Sequence, residues 1–106
     1  MRLSELNPQF LKAESKTTFR RDGDIKSADG VMFLCPKCYN GTSVGVHSVI
    51  CWQPTVSPEM QPSPGRWLIM GDSIDNLSLV AGSSSVKLSG GCDAHFFIRN
   101  GEIVDC

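Results

Sequence analysis

The sequence predicts a small, mainly β domain of antiparallel strands, preceded by a short N-terminal helix and an arm. Beyond residue 30, short apolar or alternating runs are separated by Gly, Pro, Asn and Ser, which is typical of strands joined by turns. The chain also ends in "HFFIRNGEIVDC", where an Asn-Gly pair joins two apolar runs, the strongest short-range signal for a β-hairpin. The length of 106 residues corresponds to one domain.

The first 30 residues are predicted to form the helix and the arm. In "NPQFLKAE", Asn7 is a suitable N-cap and Pro8 fits the first helical position, which predicts a helix of about two turns. Residues 15–30 are polar and rich in turn-forming residues, so we expect an extended arm. Residues 31–106 then form the β domain.

Seven short strands and one long loop are predicted in the β domain. The runs are "VMFL", "VGVHSVICW", "RWLIM", "NLSLV", "SSVKL", "AHFFIR" and "EIV". Residues 53–66, "QPTVSPEMQPSPGR", lie between the second and third runs and contain four prolines. A segment with so few backbone hydrogen-bond donors is predicted to be a surface loop.

The final two runs are predicted to form a hairpin whose two-residue loop is Asn100 and Gly101, since a type I′ turn needs positive φ at both positions. The pairs across this hairpin are Arg99–Glu102, Ile98–Ile103, Phe97–Val104, Phe96–Asp105 and His95–Cys106. His95 and Cys106 are then cross-strand neighbours with Cβ atoms about 5 Å apart.

The cysteines indicate a metal site. Five cysteines in a chain without a secretion signal argue against a complete disulfide framework. Cys35 and Cys38 form a CxxC pair, and Cys92 and His95 form a CxxH pair with the same spacing. Three thiolates and one imidazole suit tetrahedral zinc. The sequence therefore predicts a zinc-ribbon-like β domain with a zinc site made of these four residues, and 53 residues lie between the two pairs.

Cys106, His47 and Cys51 are alternative ligands. Cys106 is the main competitor because the hairpin places it opposite His95, so it could replace one of the four ligands or be a free terminal thiol. His47 and Cys51 share one face of a predicted strand and are about 13 Å apart, because a strand rises about 3.3 Å per residue. They cannot both bind one ion, and each is interpreted as a half-buried strand residue.

Composition excludes several classes of partner. The formal net charge of −1 offers no basic surface, so we expect no nucleic-acid partner. No stretch approaches the roughly 18 apolar residues that a membrane span needs, so we expect no membrane contact. Residues 1–15 contain no apolar core of a signal peptide, so we expect no secretion by that route.

Several motifs, taken in order, resemble one known family. "FLCPKC", "PGRW", "NLSLVAGSSSV" and "GGCDAHFFIRNGEIVDC" resemble a family of small metal-binding proteins, a domain of unknown function found in tailed phages, prophages and bacteria. The similarity covers nearly the whole chain, and "MRLSELNPQFL" resembles phage members. The chain departs from the family pattern where "LSLVAGSSSV" lacks the usual Pro-Ser-Ile and where "CPKC" replaces C-x-C-G-C.

The resemblance implies a phage or prophage origin, a location in the host cytoplasm or the virion, and metal binding by Cys35, Cys38, Cys92 and His95. It implies no known reaction. Some bacterial relatives accompany ubiquitin-like conjugation genes, which leaves a processing or partner-binding role open.

The sequence lacks several motifs of common hydrolases. It contains no H-E-x-x-H, no Walker A and no H-x-E ahead of P-C-x-x-C. Cys51 or Cys106 could act as a nucleophile with a histidine, but no sequence feature positions a third group. We therefore expect a zinc-binding protein with a structural or interaction role, and the resemblance implies that its partner is a phage structural protein. The alternative is a metal-dependent hydrolase or processing factor of a ubiquitin-like system.

Overall fold

The chain folds into antiparallel sheets, as the sequence predicts. A computed structural model describes residues 1–42, 44–62, 65–80, 85–87 and 94–105. These residues form nine strands and two short 3₁₀ helices, and all strand pairs are antiparallel. Within these ranges no helix has the length and apolar character needed to cross a membrane.

The strands form three sheets, with the orders β2-β1-β3-β4, β5-β6 and β7-β8-β9. Their bounds are β1 Gln9–Ala13, β2 Phe19–Arg21, β3 Gly30–Leu34, β4 Ser48–Trp52, β5 Leu68–Met70, β6 Ser78–Val80, β7 Ser85–Lys87, β8 His95–Arg99 and β9 Glu102–Asp105. The 3₁₀ helices are Leu3–Leu6 and Ile74–Asn76.

The short N-terminal helix lies earlier in the chain than the sequence suggests. It spans Leu3–Leu6 and ends at Asn7, which adopts the left-handed conformation that asparagine tolerates, with φ 49° and ψ 54°. The prediction of a helix over "NPQFLKAE" is wrong, because these residues enter β1. Phe10 packs into one buried cluster and Leu11 into another, so β1 buries apolar side chains on both faces. Pairing with β2 and β3 on its two edges outweighs the local capping signal.

One apolar core joins the three sheets. Phe33 of β3, Leu79 of β6 and Phe96 of β8 are buried in the same cluster. The rings of Phe33 and Phe96 meet edge to face, with centroids 6.0 Å apart and planes inclined by 74°. Burying each such side chain contributes about 1.5–3 kcal/mol to folding. This contact fixes the end of β3 against the start of β8.

The Pro-rich segment has a small core of its own. Leu11, Trp52, Val56 and Met60 form a second buried cluster. The indole Nε1 of Trp52 donates a hydrogen bond to the carbonyl oxygen of Gln61 at 2.9 Å. The described residues of the predicted loop, 53–62 and 65–66, contain no strand, in agreement with the prediction.

The side chain of Arg66 holds this loop through hydrogen bonds to the main chain of the loop. Its guanidinium donates hydrogen bonds to the carbonyl oxygens of Ser57 at 2.6 Å, Met60 at 3.0 Å, Pro62 at 3.0 Å and Gly65 at 2.8 Å. One side chain therefore ties together the part of the loop between Ser57 and Gly65.

The C-terminal hairpin has the predicted turn and register. Asn100 and Gly101 have φ values of 50° and 77°, as a type I′ turn requires. The ladder pairs Arg99 with Glu102, Ile98 with Ile103, Phe97 with Val104 and Phe96 with Asp105. The fifth predicted pair, His95 with Cys106, lies outside the described residues because it includes Cys106.

Candidate functional site

A cluster of two cysteines and one histidine lies at the end of the β3–β4 hairpin. Each of Cys35, Cys38 and His47 offers one ligand atom, and these atoms lie within 4.8 Å of one another. Cys35 is buried, Cys38 is half-buried and His47 is exposed. The structure thus brings the predicted CxxC pair together with His47, which the sequence had offered only as an alternative ligand.

The hairpin register explains why these residues meet. Leu34 lies opposite Ser48 in the ladder, and the next pair outward is Cys35 and His47. The N–H of Cys35 donates a hydrogen bond to the carbonyl oxygen of His47 at 2.9 Å. The N–H of Tyr39 donates to the carbonyl oxygen of Cys35 at 3.0 Å, a turn that brings the second cysteine back beside the first.

His47 therefore occupies a different place from the predicted one. Strand β4 begins at Ser48, so His47 precedes the strand and closes the loop that starts at Cys35. The period-two pattern of "VGVHSVICW" extends beyond the hydrogen-bonded ladder, and for this reason the sequence placed His47 inside a strand. A signal was available, since a histidine just before a strand can face a cysteine just after its hairpin partner.

Cys51 lies apart from the cluster in the middle of β4. Its side chain has no exposed surface and packs in the main core. Burial raises the pKa of the Cys51 thiol well above its ordinary value, because the charged thiolate is desolvated there. A thiol held in its protonated form is a poor metal ligand and a poor nucleophile.

The donor set of the cluster fits a metal ion. Thiolate and imidazole are the common zinc ligands, with bonds of about 2.0–2.3 Å, and ligand atoms of a tetrahedral site lie on the order of 3.5 Å apart. Small side-chain rotations would bring donor atoms within 4.8 Å of one another to that spacing. The arrangement could therefore hold a metal ion, and it is compatible with zinc.

The other predicted ligands are Cys92, His95 and the alternative Cys106. Cys92 and Cys106 lie outside the described residues. His95 is exposed at the start of β8 and is not a member of the cluster formed by Cys35, Cys38 and His47.

His95 begins the outward face of the third sheet. Along β8 the side chains alternate between exposed or half-buried and fully buried, so His95, Phe97 and Arg99 share the outward face. Strand β7 pairs with β8 so that Lys87 lies opposite His95 and Ser85 lies opposite Phe97. Ser85 and His95 are thus diagonal neighbours of an antiparallel ladder, and such positions are about 7–8 Å apart.

The fold and the site define a small, mainly β protein with a cysteine and histidine cluster that could hold a metal ion. The chain belongs to the BubE family, described as the bacterial ubiquitination-like system serine protease, whose family model matches residues 3–106. This description names a bacterial system and no phage. Neither the curated proteins nor the solved structures gave a significant match.

Proposed function

We propose that this chain is a serine peptidase that cleaves a protein substrate in a bacterial ubiquitination-like system. The observation that carries the proposal is the diagonal placement of Ser85 and His95 on β7 and β8. The description of the family supports the reaction class and the biological setting. The partner would then be a protein of such a system rather than a phage structural protein.

The choice of His95 as the general base follows from the histidine content. The chain contains two histidines, and a positioned imidazole is the commonest general base for proton transfer. His47 lies with two cysteines and is engaged in that cluster. His95 is exposed, so a substrate can reach it.

Ser85 is proposed as the nucleophile because of its position relative to His95. Its hydroxyl oxygen would attack the scissile carbonyl carbon while His95 accepts the hydroxyl proton. His95 would then give this proton to the leaving amine, which breaks the peptide bond and leaves an ester on Ser85. A water molecule, deprotonated by His95, would hydrolyse the ester and return Ser85 to its starting form.

The metal site is proposed to have a structural role in this scheme. Cys35, Cys38 and His47 would hold a zinc ion that fixes the β3–β4 loop, with Cys92 as the predicted fourth ligand. The contact between Phe33 and Phe96 supports a structural link, because it joins the strand leading to Cys35 with the strand that carries His95.

A fluorophosphonate probe, which forms a covalent bond with activated serines, tests the proposal. We expect one probe molecule per chain, on Ser85, and inhibition of peptide hydrolysis by the same reagent. Ser85→Ala and His95→Gln should each reduce hydrolysis by about 10³-fold or more. Ser48→Ala is the matched control, because Ser48 is likewise a serine of a strand and is exposed on β4.

Two results would overturn the proposal. Hydrolysis that survives in Ser85→Ala would exclude this nucleophile. Hydrolysis that resists the fluorophosphonate but disappears with a chelator, while circular dichroism shows an intact fold, would instead support a metal-dependent hydrolase.

A further inference from the structure

We infer that the outward face of β8 and β9 binds the substrate as an extended segment with an acidic group, and that Arg99 selects this group. The inference rests on the proposed function, because His95 on the same face marks where the peptide bond is cleaved. It adds a substrate class, defined by a carboxylate at a fixed distance from that bond.

The face arises because exposed and buried side chains alternate along β8. His95 and Arg99 are exposed and Phe97 is half-buried, whereas Phe96 and Ile98 between them are buried in the main core. The outward residues therefore form a row on a strand whose opposite face is buried in the main core. Neighbouring strands β7 and β9 flank this row on both sides.

Arg99 offers a cation that is held in place. Its guanidinium carbon lies 4.2 Å from the centroid of the Phe97 ring, so the ring orders the side chain. Glu102 lies directly opposite Arg99, but its carboxylate accepts a hydrogen bond from Nη1 of Arg2 at 2.5 Å. In the part of the chain that the structure describes, Arg99 takes part in no salt bridge.

An apolar surface lies beside this cation. Val104 is directly opposite Phe97 in the ladder and is 38% exposed. Phe97 and Val104 therefore provide apolar contact between His95 and Arg99. A guanidinium fork binds a carboxylate through two parallel hydrogen bonds, so the surface suits a peptide with an apolar side chain and an acidic group.

The spacing of the strand fixes where these groups lie in the substrate. His95 and Arg99 are four residues apart on β8, which corresponds to about 13 Å at about 3.3 Å per residue. An extended peptide along β8 has the same rise. Its acidic group is therefore expected about four residues from the cleaved bond, and its apolar side chain about two residues from it.

Quenched fluorescent peptides test this geometry. One set of peptides carries Glu, Gln or Lys four residues from the cleaved bond, on either side of it. A further pair of peptides ends at that position, one with a free carboxylate and one with an amide. We expect kcat/KM to favour Glu over Lys by about tenfold on one side only, mainly through KM. The pair that ends in a free carboxylate or an amide shows whether Arg99 recognises a side-chain carboxylate or the carboxylate of a chain end.

Variants of Arg99 carry the decisive comparison. Arg99→Gln should bring the Glu to Lys ratio near one with kcat little changed, Arg99→Lys should keep part of the preference, and Arg99→Glu should reverse it. Arg20→Gln is the control, since Arg20 is an exposed arginine on β2 in another sheet. An unchanged ratio in Arg99→Gln would overturn the inference.

A binding measurement separates this inference from the proposed function. Fluorescence anisotropy with the same labelled peptides reports recognition without cleavage. If the wild-type protein hydrolyses no peptide but binds the Glu peptide about tenfold more tightly through Arg99, the peptidase proposal fails and the recognition surface stands. Equal binding of the Glu and Lys peptides would contradict the surface whether or not hydrolysis occurs.

Discussion

The N–H of Cys35 donates a hydrogen bond to the carbonyl oxygen of His47, so the two residues face each other across the open end of the β3–β4 hairpin. With Cys38 in the intervening loop, all three members of the cluster belong to one hairpin. A metal bound by these three residues would fix a short loop. A fourth bond to Cys92 would also close a longer loop, since 53 residues separate Cys38 from Cys92.

We expect the purified protein to contain about one zinc ion per chain, as measured by inductively coupled plasma mass spectrometry. Cys35→Ser and His47→Ala should each lose most of the metal, because each removes one donor from the cluster. His95→Gln should retain it. Cys92→Ser tests the predicted fourth ligand and should also lose metal.

Cys51→Ser is the matched control for these variants, since Cys51 is a buried cysteine outside the cluster. It should retain the zinc and lower the free energy of unfolding by about 1–2 kcal/mol. Full zinc content in His47→Ala, together with loss in His95→Gln, would restore the four-ligand set that the sequence predicts.

Gly101→Ala should strongly destabilise the C-terminal hairpin. Gly101 has φ +77°, and a Cβ atom there would collide with the carbonyl oxygen of Asp75. Gly45 has nearly the same φ, +76°, with nothing within 4 Å of an added Cβ. Thermal unfolding should show a loss of about 3 kcal/mol for Gly101→Ala and about 1–2 kcal/mol for Gly45→Ala. Equal losses would mean that the contact with Asp75 contributes nothing.

Gly30→Ala should disturb the packing of Trp52. The two residues are paired in the β3–β4 ladder, and an added Cβ would lie 2.5 Å from Cε3 of the indole. We expect a shift of tryptophan fluorescence together with a loss of stability of about 1–3 kcal/mol. Gly23→Ala, which has nothing within 4 Å, should leave both properties unchanged. An unaltered emission spectrum in Gly30→Ala would contradict this packing.

Cys51 should make the fold less stable at alkaline pH. Because burial raises the pKa of its thiol, the folded chain keeps a proton that the unfolded chain releases above about pH 8.5. Its contribution to stability is fully present below that pH and is lost by up to about 1.4 kcal/mol per pH unit above it. Urea unfolding between pH 7 and 10 should show a shallower decline for Cys51→Val. If the free energy of unfolding declines equally with pH in the wild-type protein and in Cys51→Val, Cys51 ionises in the folded state.

Local turn chemistry made most of the β structure predictable. The Asn100-Gly101 pair specified both the turn and four cross-strand pairs, because a two-residue loop leaves one register. Strands β4 to β8 each fall within a predicted apolar run, and β3 and β9 each extend one residue beyond theirs. Strand β1 was missed because Asn7 and Pro8 imitate a helix start, while the pairing that decides its structure comes from β3, further along the chain. Strand β2 was missed because it lies in the polar segment predicted as an arm, and it forms by pairing with β1.

The candidate site was less predictable for a related reason. The CxxC pair is visible in the sequence, but its histidine partner depends on where the β3–β4 ladder ends. Apolar alternation continues through Val44 and Val46, although β4 begins at Ser48. The pairing of β7 with β8, which brings Ser85 near His95, is likewise a non-local contact that no spacing rule expresses.

The main-chain bonds of Arg66 bear on how this family can diversify. The four hydrogen bonds that Arg66 donates within the described residues all go to carbonyl oxygens, and every residue type carries a carbonyl oxygen. Exposed loop positions such as Glu59 can therefore change identity while the path of the loop is preserved, whereas the buried Val56 and Met60 cannot change as freely. Homologues should accordingly differ in sequence at the exposed positions of this loop, while one arginine maintains the path of its main chain.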